Sequence, residues 1–179
     1  MPPWILPGRD PLADPEPLVR RVYGYVARRL GDGADAEDVT GEVFERAVRY
    51  RGSYDPRKGK PIVWLIGIAR RCVDAHSARA VEDLRYPDVD ELALAAPGDV
   101  EESTGRRLEL AAALGLLDER ERELVALRYG ADLTARQIGE LLGMRTNAVE
   151  VALHRALRRL REHLEQARTV PGRASVAHR

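Results

Sequence analysis

Apolar residues in this chain recur every three or four positions, and nowhere do they alternate with a period of two. A half-buried strand needs alternation, because successive side chains point to opposite faces; a helix needs the longer interval. The expected fold class is therefore all-α. The last long stretch shows it best: Val149, Leu153, Ala156, Leu157, Leu160 and Leu164 form one stripe.

Start and stop signals divide the pattern into helices. Asp14 and Pro15 suit a cap and first helical position, and Leu18, Val22, Val26 and Leu30 form a stripe ended by Gly31 and Gly33. A second helix is predicted from Asp35. Its apolar half holds Val39, Val43, Phe44, Ala47, Val48 and Tyr50; its polar half holds Asp38, Gly41, Glu42, Glu45, Arg46 and Arg49. Pro56 closes it before the basic loop Arg57-Lys58-Gly59-Lys60. Pro61 opens a third helix to about Arg79, burying Ile62, Leu65, Ile66, Ile68, Ala69, Cys72, Val73 and His76. After the gap at 81–105, Leu108, Leu110, Ala111, Leu114 and Leu117 begin a second helical block. Asp118 with Glu121 and Thr134 with Gln137 are two capping boxes. Gly130 and Gly143 are stops, and Thr146 is the expected cap of the final helix.

The formal net charge is zero, but it is unevenly spread. Residues 1–80 carry 14 basic and 11 acidic side chains, 81–105 carry one basic and eight acidic, and 106–179 carry 14 basic and 10 acidic. Two mildly basic blocks thus flank an acidic connector, a distribution that admits a nucleic-acid partner. The expected organisation is a disordered arm at 1–13, a helical domain at 14–80, an acidic linker at 81–105, a second helical domain at 106–165 and a disordered tail at 166–179. A start without a basic segment followed by an apolar one argues against a signal peptide. No apolar run is long enough to span a membrane. Cys72 is the only cysteine, so no internal disulfide and no cysteine-rich metal site can form. Neither a metal nor a cofactor is expected, and the expected compartment is the cytoplasm.

Residues 134–161, TARQIGELLGMRTNAVEVALHRALRRLR, are two capped helices about a glycine turn, the arrangement of a DNA-binding helix-turn-helix. Its second helix has one glutamate and no arginine in its leading turns, then four arginines in residues 155–161. A groove-reading helix needs discriminating groups in front and only positive charge behind. Asn147, Val151, His154, Arg155 and Arg158 point away from the stripe, with Ala148 and Glu150 at its edges. Asn suits adenine, Arg guanine, and Glu the amino group of cytosine. Arg158, Arg159 and Arg161 suit phosphates. A solvated helix in an ordinary α-helical core is the competing reading.

The block from Glu119 to Arg161 resembles region 4 of bacterial sigma factors, which reads the minus-35 promoter element. DAEDVTGEVFERAVRYRGSY followed by PIVWLIGIARRCVDAH resembles their region 2. Both regions joined by a short linker resemble the compact extracytoplasmic-function (ECF) group of the sigma-70 superfamily, over roughly residues 15–165.

The resemblance implies a promoter-specificity subunit that binds core RNA polymerase, reads the minus-35 and minus-10 elements and assists strand opening. It implies that Asp38, Glu42, Glu45, Arg46 and Arg49 dock on the clamp helices of the polymerase largest subunit. It implies minus-10 contacts by Tyr54, Arg57, Lys58, Lys60, Trp64, Arg70 and Arg71, with Tyr54 and Trp64 as stacking groups; Trp64 sits at the border of its helix's two arcs, where a core position is the competing reading. Asp74 shares the exposed arc of Arg70 and could pair with it. Minus-35 contacts fall to Arg145, Thr146, Asn147, Glu150, Val151, His154, Arg155, Arg158 and Arg159. An anti-sigma factor is an implied partner; membrane insertion is not. The chain departs from the family pattern at Gly41, where glutamine is frequent, and at Glu150, Ala152 and Leu157, which replace usual basic residues. Arg145 stands where a capping serine is frequent.

Two other classes compete. A transcription regulator that does not bind core polymerase would use the helix-turn-helix alone and leave the first block unexplained. A small helical enzyme could use Cys72 and His76, spaced four apart, but both fall on a buried arc. No phosphate-binding glycine loop or paired-carboxylate motif supports catalysis, and no catalytic residue is expected.

Overall fold

A computed structural model describes residues 10–85 and 102–169, and these form seven α-helices without a strand among the described residues. Helix α1 spans Pro15–Leu30, α2 spans Ala34–Tyr50 and α3 spans Pro61–Arg85. Pro15 occupies the first turn of α1 as expected, but Asp14 makes no side-chain cap. The turn at 10–13 is ordered rather than part of a loose arm: the Leu12 N–H donates to Asp10 Oδ1, and Pro11 is buried. Two single 3₁₀ turns, Arg51–Ser53 and Pro56–Lys58, carry the basic loop between α2 and α3.

In the second half, α4 spans Glu102–Gly115, α5 Glu119–Val125, α6 Ala135–Leu142 and α7 Thr146–Thr169. Both capping boxes are complete, each with side-chain and backbone bonds in both directions. Helix α5 does not run straight to Gly130. It passes into one π turn over Ala126–Gly130, in which the Ala131 N–H donates to the carbonyl of Ala126, five residues back.

Several expected boundaries move. Helix α3 extends six residues past Arg79, and Ala80, Val81 and Glu82 in that extension are exposed; helix-forming residues such as Ala80 and Glu82 continue the ladder there. Helix α4 likewise starts inside the expected linker, and α7 runs through residues 166–169 of the expected tail. The rest of the linker, residues 86–101, and of the arm and tail, 1–9 and 170–179, lies outside the described residues. Leu108 and Leu110 are exposed, and among its described side chains α4 buries Ala113 and Leu114, followed by Leu117 in the loop. Val48 and Tyr50 of α2 are each 55% exposed, so the apolar half of that helix is wider than its buried face.

One core runs through both halves. Val22, Val26, Val43, Leu65, Ile66 and Val73 belong to the same buried cluster as Leu124, Leu127, Leu133, Ile138 and Val149. A smaller cluster of Leu114, Leu117, Val125, Ala156 and Leu160 ties α4 to α7. Helix α1 turns two rows toward the rest of the molecule. Val22 and Val26 face their own half, while the row Arg21, Tyr25, Arg29 faces the other. Between those contacts the backbones of Gly24 and Gly130 touch, and a Cβ on Gly24 would lie 2.8 Å from the Gly130 carbonyl oxygen. No larger residue fits at either position.

Candidate nucleic-acid interface

The α6–α7 corner is set by backbone chemistry. Gly143 ends α6 with φ 67°, a left-handed conformation that glycine takes without strain. The Met144 N–H then returns to the Gly139 carbonyl at 2.8 Å. Gly139 sits so close to this turn that a Cβ there would lie 2.5 Å from the Met144 oxygen. The carbonyl of Arg145 accepts the first bond of α7, from Val149 N–H at 3.1 Å. Arg145, not Thr146, is therefore the cap residue. Its side chain has no acceptor to offer, so the leading N–H groups of the helix remain turned to solvent.

Val149, Leu153, Ala156 and Leu160 are buried, which turns Asn147, Ala148, Glu150, Val151, His154, Arg155 and Arg158 outward. The outward residues lie along two flanks. Arg145, Asn147, Ala148, Val151, Ala152 and Arg155 line one concavity together with Met144 and Arg120. Glu150 and His154 line another with Arg128 and Thr134. Arg120, in the first turn of α5, is absent from the sequence-derived site; its guanidinium reaches Met144 Sδ at 3.6 Å. The only sequence signal for it is an exposed arginine two residues after a capping aspartate.

The basic end of α7 is partly engaged within the molecule. Arg159 pairs with Glu121 at 2.9 Å and approaches Asp118 at 3.9 Å, so it braces the α5 cap. Arg158 lies 3.7 Å from Glu162 on its own helix. Arg155 is exposed and has no ion-pair partner among the described residues.

The basic loop is a compact unit. Tyr54 and Trp64 meet with ring centroids 5.7 Å apart at 57°, and the Tyr54 hydroxyl donates to the Gly59 carbonyl at 3.0 Å. Burial raises the Tyr54 pKa. Arg57 closes on Asp55 through two bonds of 3.1 and 3.2 Å, and this holds the Asp55 carboxyl below the usual range. Lys58, Lys60 and Arg71 are exposed. Arg70 does not pair with Asp74. Its Nε donates to Glu123 of α5 at 2.7 Å, whereas Asp74 approaches Arg29 at 4.0 Å.

On α2 the polar row is self-paired: Glu42 with Arg46 at 2.5 Å and Glu45 with Arg49 at 2.7 Å, with Asp38 exposed at one end. Arg79 adds a 3.8 Å approach to Glu42. Cys72 is fully buried, and burial pushes its thiol pKa up, the direction opposite to that of an activated nucleophile. His76 turns instead to Asp35 at 3.7 Å.

Comparison with known proteins places both halves. Residues 16–80 match the sigma-70 region 2 family and residues 107–160 the sigma-70 region 4 family. The chain is 31% identical over 154 residues to the ECF RNA polymerase sigma factor SigK of Mycobacterium sp. (strain KMS), covering 80% of this chain and 77% of that protein. It is 36% identical over 154 residues to the RNA polymerase sigma factor CarQ of Myxococcus xanthus, covering 80% and 83%. The fold is similar to that of the sigma factor RpoE solved with the anti-sigma factor NepR from Bartonella quintana. The TM-score there is 0.67 at 16% identity, over 83% of this chain and 92% of that one.

Proposed function

The chain belongs to the sigma-70 family, in its extracytoplasmic-function group, and on that premise we propose how its surfaces divide the tasks of a sigma subunit. It binds bacterial core RNA polymerase and directs it to promoters. It acts through binding, in the cytoplasm, and supplies no catalytic group. Residues 14–80 hold the polymerase and the minus-10 element, residues 106–165 read the minus-35 element, and the acidic segment within 81–105 joins them.

The polymerase clamp helices take the outer face of α2, through Asp38, Glu42, Glu45, Arg46 and Arg49. Mixed charge suits a protein partner better than a polyanion, and the exposed Val48 and Tyr50 add apolar area on the same helix. Minus-10 DNA runs over the basic loop, where Arg57, Lys58, Lys60 and Arg71 supply charge and the Tyr54–Trp64 pair supplies a stacking surface. Arg70 joins them once Glu123 is withdrawn. The minus-35 element meets Arg145, Thr146, Asn147, Glu150, Val151, His154, Arg155 and Arg158. Arg159 serves that surface by bracing α5. The observation that carries the reading is the outward row of α7, exposed along its leading turns on a chain that also matches region 2.

The closed arrangement of the halves is a resting form. Elements centred near positions 10 and 35 lie about 25 base pairs apart, or about 85 Å at 3.4 Å per pair. A compact body of this size has a radius of gyration of only about 15 Å. The halves must separate to hold both elements, and an anti-sigma factor would act on that equilibrium.

The test is run-off transcription by core polymerase freed of other sigma subunits, on a promoter library. A sigma subunit yields discrete starts that depend on this chain. No chain-dependent start would leave only a helix-turn-helix regulator.

A further inference from the structure

The concavity beside the front of α7 is apolar where the surrounding surface is charged. Met144, Ala148, Val151 and Ala152 line it, in a hollow of about 530 Å³. Val151 is 44% exposed, a branched apolar side chain held in water on the helix's outward face. The exposed Arg120, Arg145 and Arg155 border the same hollow. Positive rims attract phosphates, so the surface approached by this hollow is a duplex. In the major groove of a duplex only one base carries an apolar group, the C5-methyl of thymine.

We propose that this hollow receives the methyl group of a thymine in the upstream promoter element, with Val151 and Ala148 as the specificity-determining side chains. The proposal rests on α7 being the promoter-reading helix and adds which base it selects. Asn147 lies one residue before Ala148, within reach of a neighbouring adenine, whose N6 and N7 it can bond in a bidentate manner. Glu150 lines the opposite flank with His154, so the thymine contact does not share the acidic group. An arginine at Val151 would bind phosphate or guanine and read nothing of this kind; the apolar residue makes the position selective.

The test uses holoenzyme assembled from the full chain and core polymerase. A promoter is first selected from a random library. Each thymine of its upstream element is then replaced singly by uracil, which lacks only the C5-methyl. One position should bind about fourfold more weakly as uracil, the value of one buried methyl group. Holoenzyme carrying Val151→Ser should bind the thymine and uracil forms of that duplex equally, with the helical content and melting of the variant unchanged. Three results overturn the proposal while leaving the sigma assignment intact: a selected element without thymine, equal binding of every uracil duplex, or a persisting thymine preference in Val151→Ser. Failure to obtain any chain-dependent start would overturn both.

Discussion

The Arg29 guanidinium donates to the Glu123 carboxylate at 2.7 Å across the seam between the two halves, although 94 residues separate them. The Arg29 side chain is only 5% exposed and that of Glu123 15%. Arg70 donates to the other carboxylate oxygen at 2.7 Å, and the Tyr25 hydroxyl approaches it at 3.3 Å. One carboxylate thus gathers three donors from α1 and α3. Replacing Glu123 with Ala leaves Arg29 buried without its main partner, which costs about 3–5 kcal/mol for a buried pair. That loss falls on the closed form, because each half keeps its own helices. The expected outcome is a larger hydrodynamic radius with unchanged helical content. A triple variant, Arg29→Met, Tyr25→Phe and Glu123→Leu, should stay closed, since apolar replacement of the buried partners removes the desolvation cost together with the attraction, and the partly exposed Arg70 can turn to solvent.

The crossing of α1 and the π turn offers a test that leaves charge untouched. A Cβ on Gly130 would overlap the Gly24 carbonyl, and both surfaces are backbone, so neither can rotate away. Gly130→Ala should therefore open the seam as Glu123→Ala does. Small-angle scattering should show the same expansion for both variants. In run-off transcription both should need less protein for half-maximal activity, since less of the chain is held in the form that cannot span a promoter.

Helix positions were readable from the sequence because their signals are local. Two capping boxes and the left-handed Gly143 need only neighbours within a few residues, and all are in place. The seam was not readable for the same reason. Arg21, Tyr25 and Arg29 form a row that reads as a solvated face, because their partners, the Ala131 carbonyl and Glu123, belong to another helical block. Glu123 itself looks like one more acid in a charged helix. Within the candidate site, exposure of the α7 front follows from its periodicity. The engagement of Arg70 and Arg159 by acids of α5, and the approach of Arg120, depend on packing that no single-helix wheel contains. The π turn was equally hidden, since nothing in the stretch from Ala126 to Gly130 distinguishes five-residue from four-residue bonding.

Alkali should open the seam through Tyr25. Its side chain is fully buried, and burial, reinforced by the Glu123 charge, pushes its pKa well above the ordinary tyrosine value. The folded form therefore holds this proton more tightly than the unfolded chain does. The resulting stability is complete below about pH 10, where an unperturbed tyrosine ionises, and falls as pH rises beyond it. A tyrosinate absorbance titration should show a group ionising later than all the other tyrosines, together with expansion of the molecule. In Tyr25→Phe the late group should be missing, and the pH dependence of expansion should weaken.

Arg145 should show stability and DNA binding moving in opposite directions. It occupies the cap of α7, where serine, threonine, asparagine or aspartate would accept from an exposed N–H. Arg145→Ser supplies that acceptor and should stabilise the helix by about 0.5–2 kcal/mol. For a body of this size, 1 kcal/mol raises the melting temperature by about 2–4 °C. The same change removes a cation from the rim of the promoter-reading surface. Affinity for duplex DNA should fall, and the slope of log affinity against log salt should shrink by about one. A variant that melts higher and binds DNA as tightly as the parent, with the same salt slope, would show that Arg145 contacts no phosphate. The cap position would then have been left without its usual acceptor for no gain in binding.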